Sequence, residues 1–414
     1  MKVALVYPNS EKCVNQGPGC IASAVFQAGH DLDFYDLVYV TEEYAVERVV
    51  AGNYDVVMLS ASTLFYAQAA RIAASIKTAV GVPILLGGLH ATVMKGELLN
   101  ECPNIDYLCV GEGEEFVVEF LDELNDGDIT YVRNLAYRDE DGKAVVNPVR
   151  PCASLDSLPP FRYGLFRPDS IVQPYPKPGF CYVYATRGCP YNCAYCANSC
   201  YLDLYGRNFL RTRNVDAVIE ELLWLKETYP VEIFYFGDEM ILFDKDYCTR
   251  LFTRIHDEVK LPYGCMVRVE KVTPEVATMM GETGCRYVSM GVECSDEALR
   301  KTMNRHMSNQ QITEAFGLMR AIPGLTITAF SMKGWPVPND AELTRKTKEF
   351  VDRLRPDIHQ VSTFFPFPGT RLYDYCVKHD LIDWGKWRGV TDVKSYFAVS
   401  TLKPIPQSGA FDET

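Results

Sequence analysis

The sequence predicts an α/β protein made of two consecutive arrays of alternating strands and helices. The first is a Rossmann-like, doubly wound parallel sheet, the second a full or partial TIM-type barrel, and a short carboxyl-terminal extension follows. Three observations carry this prediction. The chain has 414 residues, beyond the ~250 to 300 at which a single hydrophobic core stops growing. Buried-strand and amphipathic-helix patterns alternate from the start. A Pro-rich stretch then interrupts the alternation before it resumes near residue 180. The expected boundaries are 1–150 for the first domain, 151–179 for a linker, 180–370 for the barrel and 371–414 for the extension.

In the first array KVALVYP (2–8) is a β-rich run, CIASAVFQAGH (20–30) has helical apolar spacing ending in Gly29, and DLDFYDL (31–37) returns to a period of two. YDVVMLSAS (54–62) is another buried strand, AQAARIAASIKTAV (67–80) a helix, and VPILLGGLH (82–90) a strand opening onto paired glycines. IDYLCVGEGEE (105–115) repeats that device ahead of the helix FVVEFLDEL (116–124). In a doubly wound sheet the ligand lies outside the carboxyl ends of the strands. The loops so placed are 8–19, 60–66, 87–92 and 111–114. Their small residues, Ser60, Ser62, Thr63, Gly87, Gly88, Gly111 and Gly113, let a backbone approach a bulky ligand. Turns also use Gly and Ser for their own geometry. No G-x-G-x-x-G follows the first strand, which disfavours a dinucleotide.

DGD and DEDG, between 126 and 142, predict an edge hairpin, and PCASLDSLPPF with QPYPKPG a Pro-rich linker. From FCYVYATRG (180–188) the βα units resume. NVDAVIEELLWLKETY is helical, VEIFYFGDE a strand and DYCTRLFTRIHDEV helical; YGCMVRV, RYVSMGVEC, LTITAFSMKG and HQVSTFFPF follow as strands with helices between them. Barrels of this type carry their chemistry at the carboxyl ends of the strands.

The net charge of −13 opposes binding along a nucleic-acid backbone or an anionic membrane. There is no apolar run of about 18 residues for a membrane span, and MKVALVYPN lacks the pattern of a signal peptide. Fifteen cysteines without a leader point to reduced thiols and metal ligation rather than a disulfide framework. A cytoplasmic, anaerobic setting is expected.

RGCPYNCAYCANSC (187–200) concentrates four of those cysteines after the first barrel strand. Cys189, Cys193 and Cys196 form C-x3-C-x2-C. Structural zinc usually joins two C-x2-C knuckles, which this run lacks, and a bacterial ferredoxin run has a different first gap. Flanking Gly188 and Pro190 mark a loop, not a packed face.

With Tyr195 before the last cysteine, this run resembles the signature of the radical S-adenosylmethionine (SAM) superfamily. The resemblance implies that Cys189, Cys193 and Cys196 hold a 4Fe-4S cluster whose fourth iron is left for SAM. Later segments appear in the family's order. FGDE (236–239) implies SAM contacts from Gly237, Asp238 and Glu239; MVRVE offers Arg268 to a carboxylate; MGVEC presents Glu293 to the SAM ribose or amino region; GWP supplies Trp335 as a wall for the adenine. Taken singly, each has a structural alternative: a solvated turn at Asp238 and Glu239, or an ion pair between Glu293 and Arg268. Cys200 is the doubtful fourth thiol, either packed or in contact with the cluster from behind.

The set GGLHAT then VGEGEE resembles the cobalamin-binding domain found ahead of many radical SAM domains. That implies cobalamin contacts from Ser60, Ser62, Thr63, Gly87, Gly88, Leu89, His90, Gly111, Glu112 and Gly113, with Leu64 or Phe65 near the lower face. NSEKCVNQGPG, after the first strand, contains no His to act as a lower axial ligand. His30 reads as an ordinary turn residue and His90 as a pocket-wall contact.

This pair of domains resembles the cobalamin-dependent radical SAM methyltransferases. The resemblance implies methylation of an unactivated carbon with two SAM per turnover, through methylcobalamin and a 5′-deoxyadenosyl radical, and a low-potential reductant such as ferredoxin or flavodoxin. The cofactors, not side chains, carry the chemistry. The short segment after PFPGT suggests a peptide or protein substrate, with Trp384, Trp387 and Tyr396 as surface aromatics or as packing. The layout is similar to that of the methanogen enzymes that C-methylate methyl-coenzyme M reductase, a glutamine included. Two alternatives stand beside this: a cobalamin-binding radical SAM enzyme acting on a small molecule by methylation, rearrangement or cyclisation, and a non-catalytic electron-transfer or cobalamin-carrying protein.

Overall fold

A computed structural model describes residues 1–174 and 178–405. The chain forms two compact units, Met1–Arg167 with Arg388–Ser395, and Pro168–Trp387 with the residues from Tyr396 onward.

The first unit starts with β1 (Lys2–Tyr7), α1 (Gln16–Gln27), β2 (Asp31–Asp36), α2 (Glu42–Ala51) and β3 (Val56–Ser60). It continues with α3 (Tyr66–Val80), β4 (Ile84–Gly87), α4 (Leu89–Met94), α5 (Gly96–Glu101), β5 (Tyr107–Cys109) and α6 (Glu114–Asp126). The strand order is β2-β1-β3-β4-β5, all parallel. The apolar runs of β1, β3 and β4 are buried because helices cover both faces. Ala22 and Val25 of α1 and Phe116 and Phe120 of α6 pack on one face. Ala45 and Val49 of α2 and Ile72 and Ile76 of α3 pack on the other. The expected hairpin is β6 (Leu135–Arg138) with β7 (Ala144–Val146), added antiparallel to β5.

The linker reading changes here. Residues 151–167 pack within the first unit: the Phe161 and Phe166 rings stack 5.7 Å apart, and the Arg162 guanidinium lies 4.3 Å from the Phe26 ring centre. Gly19 makes room, because a Cβ there would overlap the Phe161 ring. Tyr175–Lys177 of the linker and residues 406–414 of the expected extension lie outside the described residues.

The second unit opens with α7 (Pro168–Ile171), β8 (Val172–Gln173) and β9 (Phe180–Val183), then β10 (Thr186–Arg187) paired antiparallel to β11 (Arg211–Thr212), with α8 (Asn198–Tyr205) between them. Regular βα units follow: α9 (Val215–Thr228), β12 (Ile233–Phe236), α10 (Lys245–Arg254), β13 (Tyr263–Val267), α11 (Pro274–Glu282) and β14 (Cys285–Glu293). They continue with α12 (Glu297–Thr302), α13 (Asn309–Arg320), β15 (Thr326–Lys333), α14 (Asp340–Leu354) and β16 (Ile358–Thr363). β9 and β12 to β16 form six successive parallel strands of one sheet, and β8 caps the β9 edge antiparallel. This is the partial form of the expected barrel.

Gly264 lies between Tyr235 and Tyr287, where a Cβ would come within 2.8 Å of both side chains, so glycine lets the two rings enter the interior. Around them is a cavity of about 280 Å³ walled by Phe180, Tyr182, Tyr184, Met266 and Phe330, among others. None of its lining residues is charged.

After β16 come α15 (Arg371–Lys378), α16 (Trp384–Gly389) and α17 (Val393–Ala398). Trp387 stacks on Phe365 at 5.4 Å and donates Nε1–H to the Pro366 carbonyl, and the Tyr396 ring meets Phe365 and Phe367. These two aromatics are packing residues; Trp384 is 36% exposed. Among the described residues no helix is long and apolar enough to cross a membrane.

Candidate functional site

In the first unit the strand order reverses between β1 and β3, where a doubly wound sheet opens a crevice. The loops after β3 and β4 are knitted together: Ala61 N–H donates to the Gly87 carbonyl and His90 N–H to the Ala61 carbonyl. Gly88 has φ +92°, and a Cβ on it would sit 2.7 Å from the Ala61 oxygen. Gly111, at φ +90°, donates its N–H to Thr92 Oγ1 at 3.0 Å. Ser60, Ser62, Leu64, Phe65, Gly87, Gly88, Leu89, Gly111 and Glu112 are half-buried at these strand ends.

Three expected contacts turn inward. His90 is buried, its Nδ1 3.2 Å from Thr63 Oγ1 and its ring stacked 4.1 Å from Tyr66; burial pushes the imidazole down to about 4. It is a neutral strut inside the loop, not a pocket wall. Thr63 is buried as its partner. Gly113 is buried too, because a Cβ there would meet Ile21 at 2.7 Å. His30 lies at the other end of the sheet, its Nδ1 3.0 Å from the amino terminus. The surface left at the carboxyl edge is small-residue backbone plus Leu64 and Phe65. That fits a large planar ligand.

In the second unit Gly188 turns the chain out of β10 with φ +99°, where a Cβ would lie 2.5 Å from the Phe209 carbonyl oxygen. The loop that follows carries Cys189, Cys193 and Cys196. It is fixed from outside by Ala194 N–H to the Met303 carbonyl, Leu372 N–H to the Ala194 carbonyl, and Asn304 Nδ2 to the Asn192 carbonyl at 2.7 Å. The three thiols are free and close enough to act on one another electrostatically; burial pushes Cys196 up to about 12, and Cys189 is also raised, mainly by burial. Among the described residues no three His, Cys, Asp or Glu side chains converge as they would on a single metal ion. A cluster, whose thiolates bind different irons, suits this set better than mononuclear zinc.

Two buried guanidinium groups face the loop. Arg268 Nη1 lies 3.3 Å from Cys193 Sγ, its Nη2 pairs with Glu270, and its plane lies 3.6 Å from the Tyr191 ring centre. Arg305 Nη2 donates to the Gly291 carbonyl at 3.0 Å and lies 3.3 Å from Glu293 Oε1. Among the described residues the Nε atoms of both arginines have no hydrogen-bond partner, although they are buried. Cationic donors held in reserve beside thiols fit an anionic iron–sulfur group. Arg305 was not singled out from the sequence, since the signal, an arginine after β14, is local and weak. The carboxylate of Glu293 therefore pairs with Arg305, not Arg268. Glu293 has φ +64°, and a Cβ on Gly291 would overlap its carboxylate, so the strand end is shaped around this group.

Two residues expected at the SAM site are buried in contacts with the protein itself. Asp238 is 0% exposed, and its carboxylate accepts from Ala185 N–H, Thr186 N–H and, at 2.5 Å, Thr186 Oγ1. It latches β12 to the start of the cysteine loop. Trp335 is 1% exposed, stacked on Phe364 and edge-on to Tyr195, with Nε1–H on the Met332 carbonyl. Gly334, at φ +75°, turns it into the core instead of leaving it as an open wall. Glu239 accepts weakly from Gly188 N–H at 3.4 Å. Gly237 lines the aromatic cavity. Tyr195 is half-buried near the Glu293 carboxylate, and burial raises its phenol. Cys200 donates to the Gly369 carbonyl at 3.1 Å, which accounts for it as a tie to the loop after β16.

Comparison with known proteins agrees with both halves. Residues 12–121 match the B12 binding domain and residues 183–345 the Radical SAM superfamily. The chain is 28% identical over 416 aligned positions to the uncharacterized methyltransferase PH0819 of Pyrococcus horikoshii, covering 95% of this chain and 87% of that one. It is 24% identical to an anaerobic magnesium-protoporphyrin IX monomethyl ester cyclase of Cereibacter sphaeroides, over 95% of this chain and 66% of the cyclase. In fold it resembles the radical SAM methyltransferase TsrM of Kitasatospora setae, solved with cobalamin and a [4Fe-4S] cluster. That likeness has a TM-score of 0.74 at 16% identity, over 91% of this chain and 78% of TsrM.

Proposed function

We propose that the chain, whose residues 12–121 match the B12 binding domain and 183–345 the Radical SAM superfamily, methylates an unactivated carbon of a small molecule. The observation that carries the proposal is the gathering of Cys189, Cys193 and Cys196 with Arg268, Arg305 and Glu293 beside the parallel strands of the second unit. When bound, the cluster supplies the electron that cleaves SAM and the corrinoid supplies the methyl carrier.

The chain's own residues bind, orient and exclude. Cys189, Cys193 and Cys196 hold the cluster as thiolates, and Arg268 and Arg305 offset its negative charge. Glu293, braced by Arg305, would receive the amino or ribose end of SAM, with Tyr195, Gly237 and Glu239 as further candidate contacts. The half-buried small residues at the edge of the first sheet would hold the corrinoid, together with Leu64 and Phe65. Buried surroundings keep water and stray hydrogen donors from reactive species, and fixed positions bring reacting atoms together. The reductant is a low-potential carrier such as ferredoxin or flavodoxin, in a reducing cytoplasm that suits fifteen free cysteines.

For the substrate, the uncharged aromatic cavity of about 280 Å³ has the size of a small-molecule site, not of a folded segment. A peptide or protein substrate, a glutamine side chain included, is the second reading; Trp384, exposed beside Trp387, favours it. Reconstituted protein incubated with SAM and reductant tests the activity. 5′-Deoxyadenosine together with S-adenosylhomocysteine is expected; 5′-deoxyadenosine alone points to rearrangement or cyclisation, and neither product refutes both. Mass spectrometry of a strain lacking the gene then separates the substrates. A methyl-sized increment missing from metabolites supports the first reading, and one missing from a protein supports the second.

A further inference from the structure

Arg268 is a buried cation of the second unit, and binding SAM does not account for how it is held. It follows β13 directly and is 7% exposed. Its guanidinium is fixed from three sides, by the Cys193 sulfur at 3.3 Å, by Glu270, and by the Tyr191 ring at 3.6 Å. A charge taken this far out of water is costly unless balanced. Glu270 supplies the opposite charge, and among the described residues its Oε2 and the Arg268 Nε are both buried without a hydrogen-bond partner. Of this pair, it is the Arg268 Nη1 donor that reaches the Cys193 sulfur.

We propose that Arg268 is a positioning residue that sets how readily the cluster accepts its electron, with Glu270 as the counterweight that limits the effect. The inference rests on the assignment of Cys193 as a cluster ligand. A hydrogen bond to a ligating sulfur withdraws electron density from the metal centre, and a nearby cation stabilises the added charge. In the step concerned, a reduced carrier loses one electron and the oxidised cluster gains it; no bond is made or broken. Tyr191 keeps the guanidinium plane directed at the sulfur. Arg305 adds positive charge nearby, but its Nη2 is engaged by Glu293 and the Gly291 carbonyl, and the hydrogen bond to the Cys193 sulfur comes from Arg268.

The two members of the pair should act in opposite directions. A charge-assisted hydrogen bond amounts to about tenfold in an equilibrium, and tenfold for one electron is about 59 mV. Potentiometric titration of the reconstituted full chain, followed by electron paramagnetic resonance, reads the midpoint independently of turnover. Arg268→Gln should lower it by about 59 mV, and Glu270→Gln should raise it. Should Arg268→Gln not take up a full cluster, the sign of the Glu270→Gln shift decides alone. Glu270→Gln with a normal cluster signal and an unmoved or lowered midpoint overturns the inference. A wild-type chain with no 4Fe-4S signal overturns the cluster assignment and the inference together.

Discussion

Asp238→Ala separates two roles that the sequence left open for this carboxylate. The substitution leaves Ala185 N–H, Thr186 N–H and the Thr186 hydroxyl without their acceptor at a site with no exposure to solvent. A buried polar group left unsatisfied costs roughly 1–3 kcal/mol. Three such groups, with the hydroxyl free to turn, cost about 3–5 kcal/mol in total. At about 2–4 °C per kcal/mol for a unit of this size, unfolding should fall by about 6–20 °C. Asp238→Asn keeps one acceptor oxygen but turns an amide toward the Ala185 N–H, and should cost about 1–3 kcal/mol. Thermal unfolding of the full chain followed by circular dichroism, together with SAM binding at equilibrium, measures both. An Asp238→Ala protein that unfolds within about 2 °C of wild type but no longer binds SAM would refute the latch and restore the carboxylate to the SAM site.

Further outcomes follow from the same geometry. Burial raises the Asp238 carboxyl to about 7, against roughly 3.9 in an unfolded chain. The folded chain therefore holds this proton longer, and the associated stability is full below about pH 4 and lost as pH rises through 7. Asp238→Asn should flatten that slope in melts taken across the window, and an unchanged slope counts against the shift. Replacing Cys189, Cys193 and Cys196 by Ala should abolish 5′-deoxyadenosine formation and cluster absorbance; persistent cleavage removes the assignment. Cys200→Ala should keep wild-type iron and sulfide content, since its thiol is spent on the Gly369 carbonyl. Gly88→Ala places a side chain at φ +92° and 2.7 Å from a carbonyl oxygen, a strain of about 1–3 kcal/mol. It should weaken corrinoid uptake read by absorbance, and undiminished uptake would sink that placement.

The fold was legible where period and length agree. The runs 2–8, 54–62 and 82–90 became β1, β3 and β4 because a strand buried on both faces must be apolar throughout. Residues 151–167 are harder to read: proline and serine suggest a linker, while the packing of Phe161 depends on Gly19, far away in sequence. At the site, the cysteine spacing was explicit because one loop carries it. Asp238 and Trp335 were not, since whether a polar or aromatic residue at a strand end faces inward depends on neighbours such as Thr186 and Phe364. Arg305 was invisible for the same reason: only the fold brings it to Glu293.

The clamp on the cysteine loop has a consequence for how the protein comes into being. The Asn192 carbonyl is gripped by Asn304, 112 residues later, and by Arg371, 179 residues later. During synthesis the cysteines emerge long before either clamp exists. In a zinc finger the metal organises a chain too short to fold without it. Here the polypeptide has to complete β14 and β16 before the loop takes its shape, so iron delivery belongs after translation, to a chain whose partial barrel has already folded.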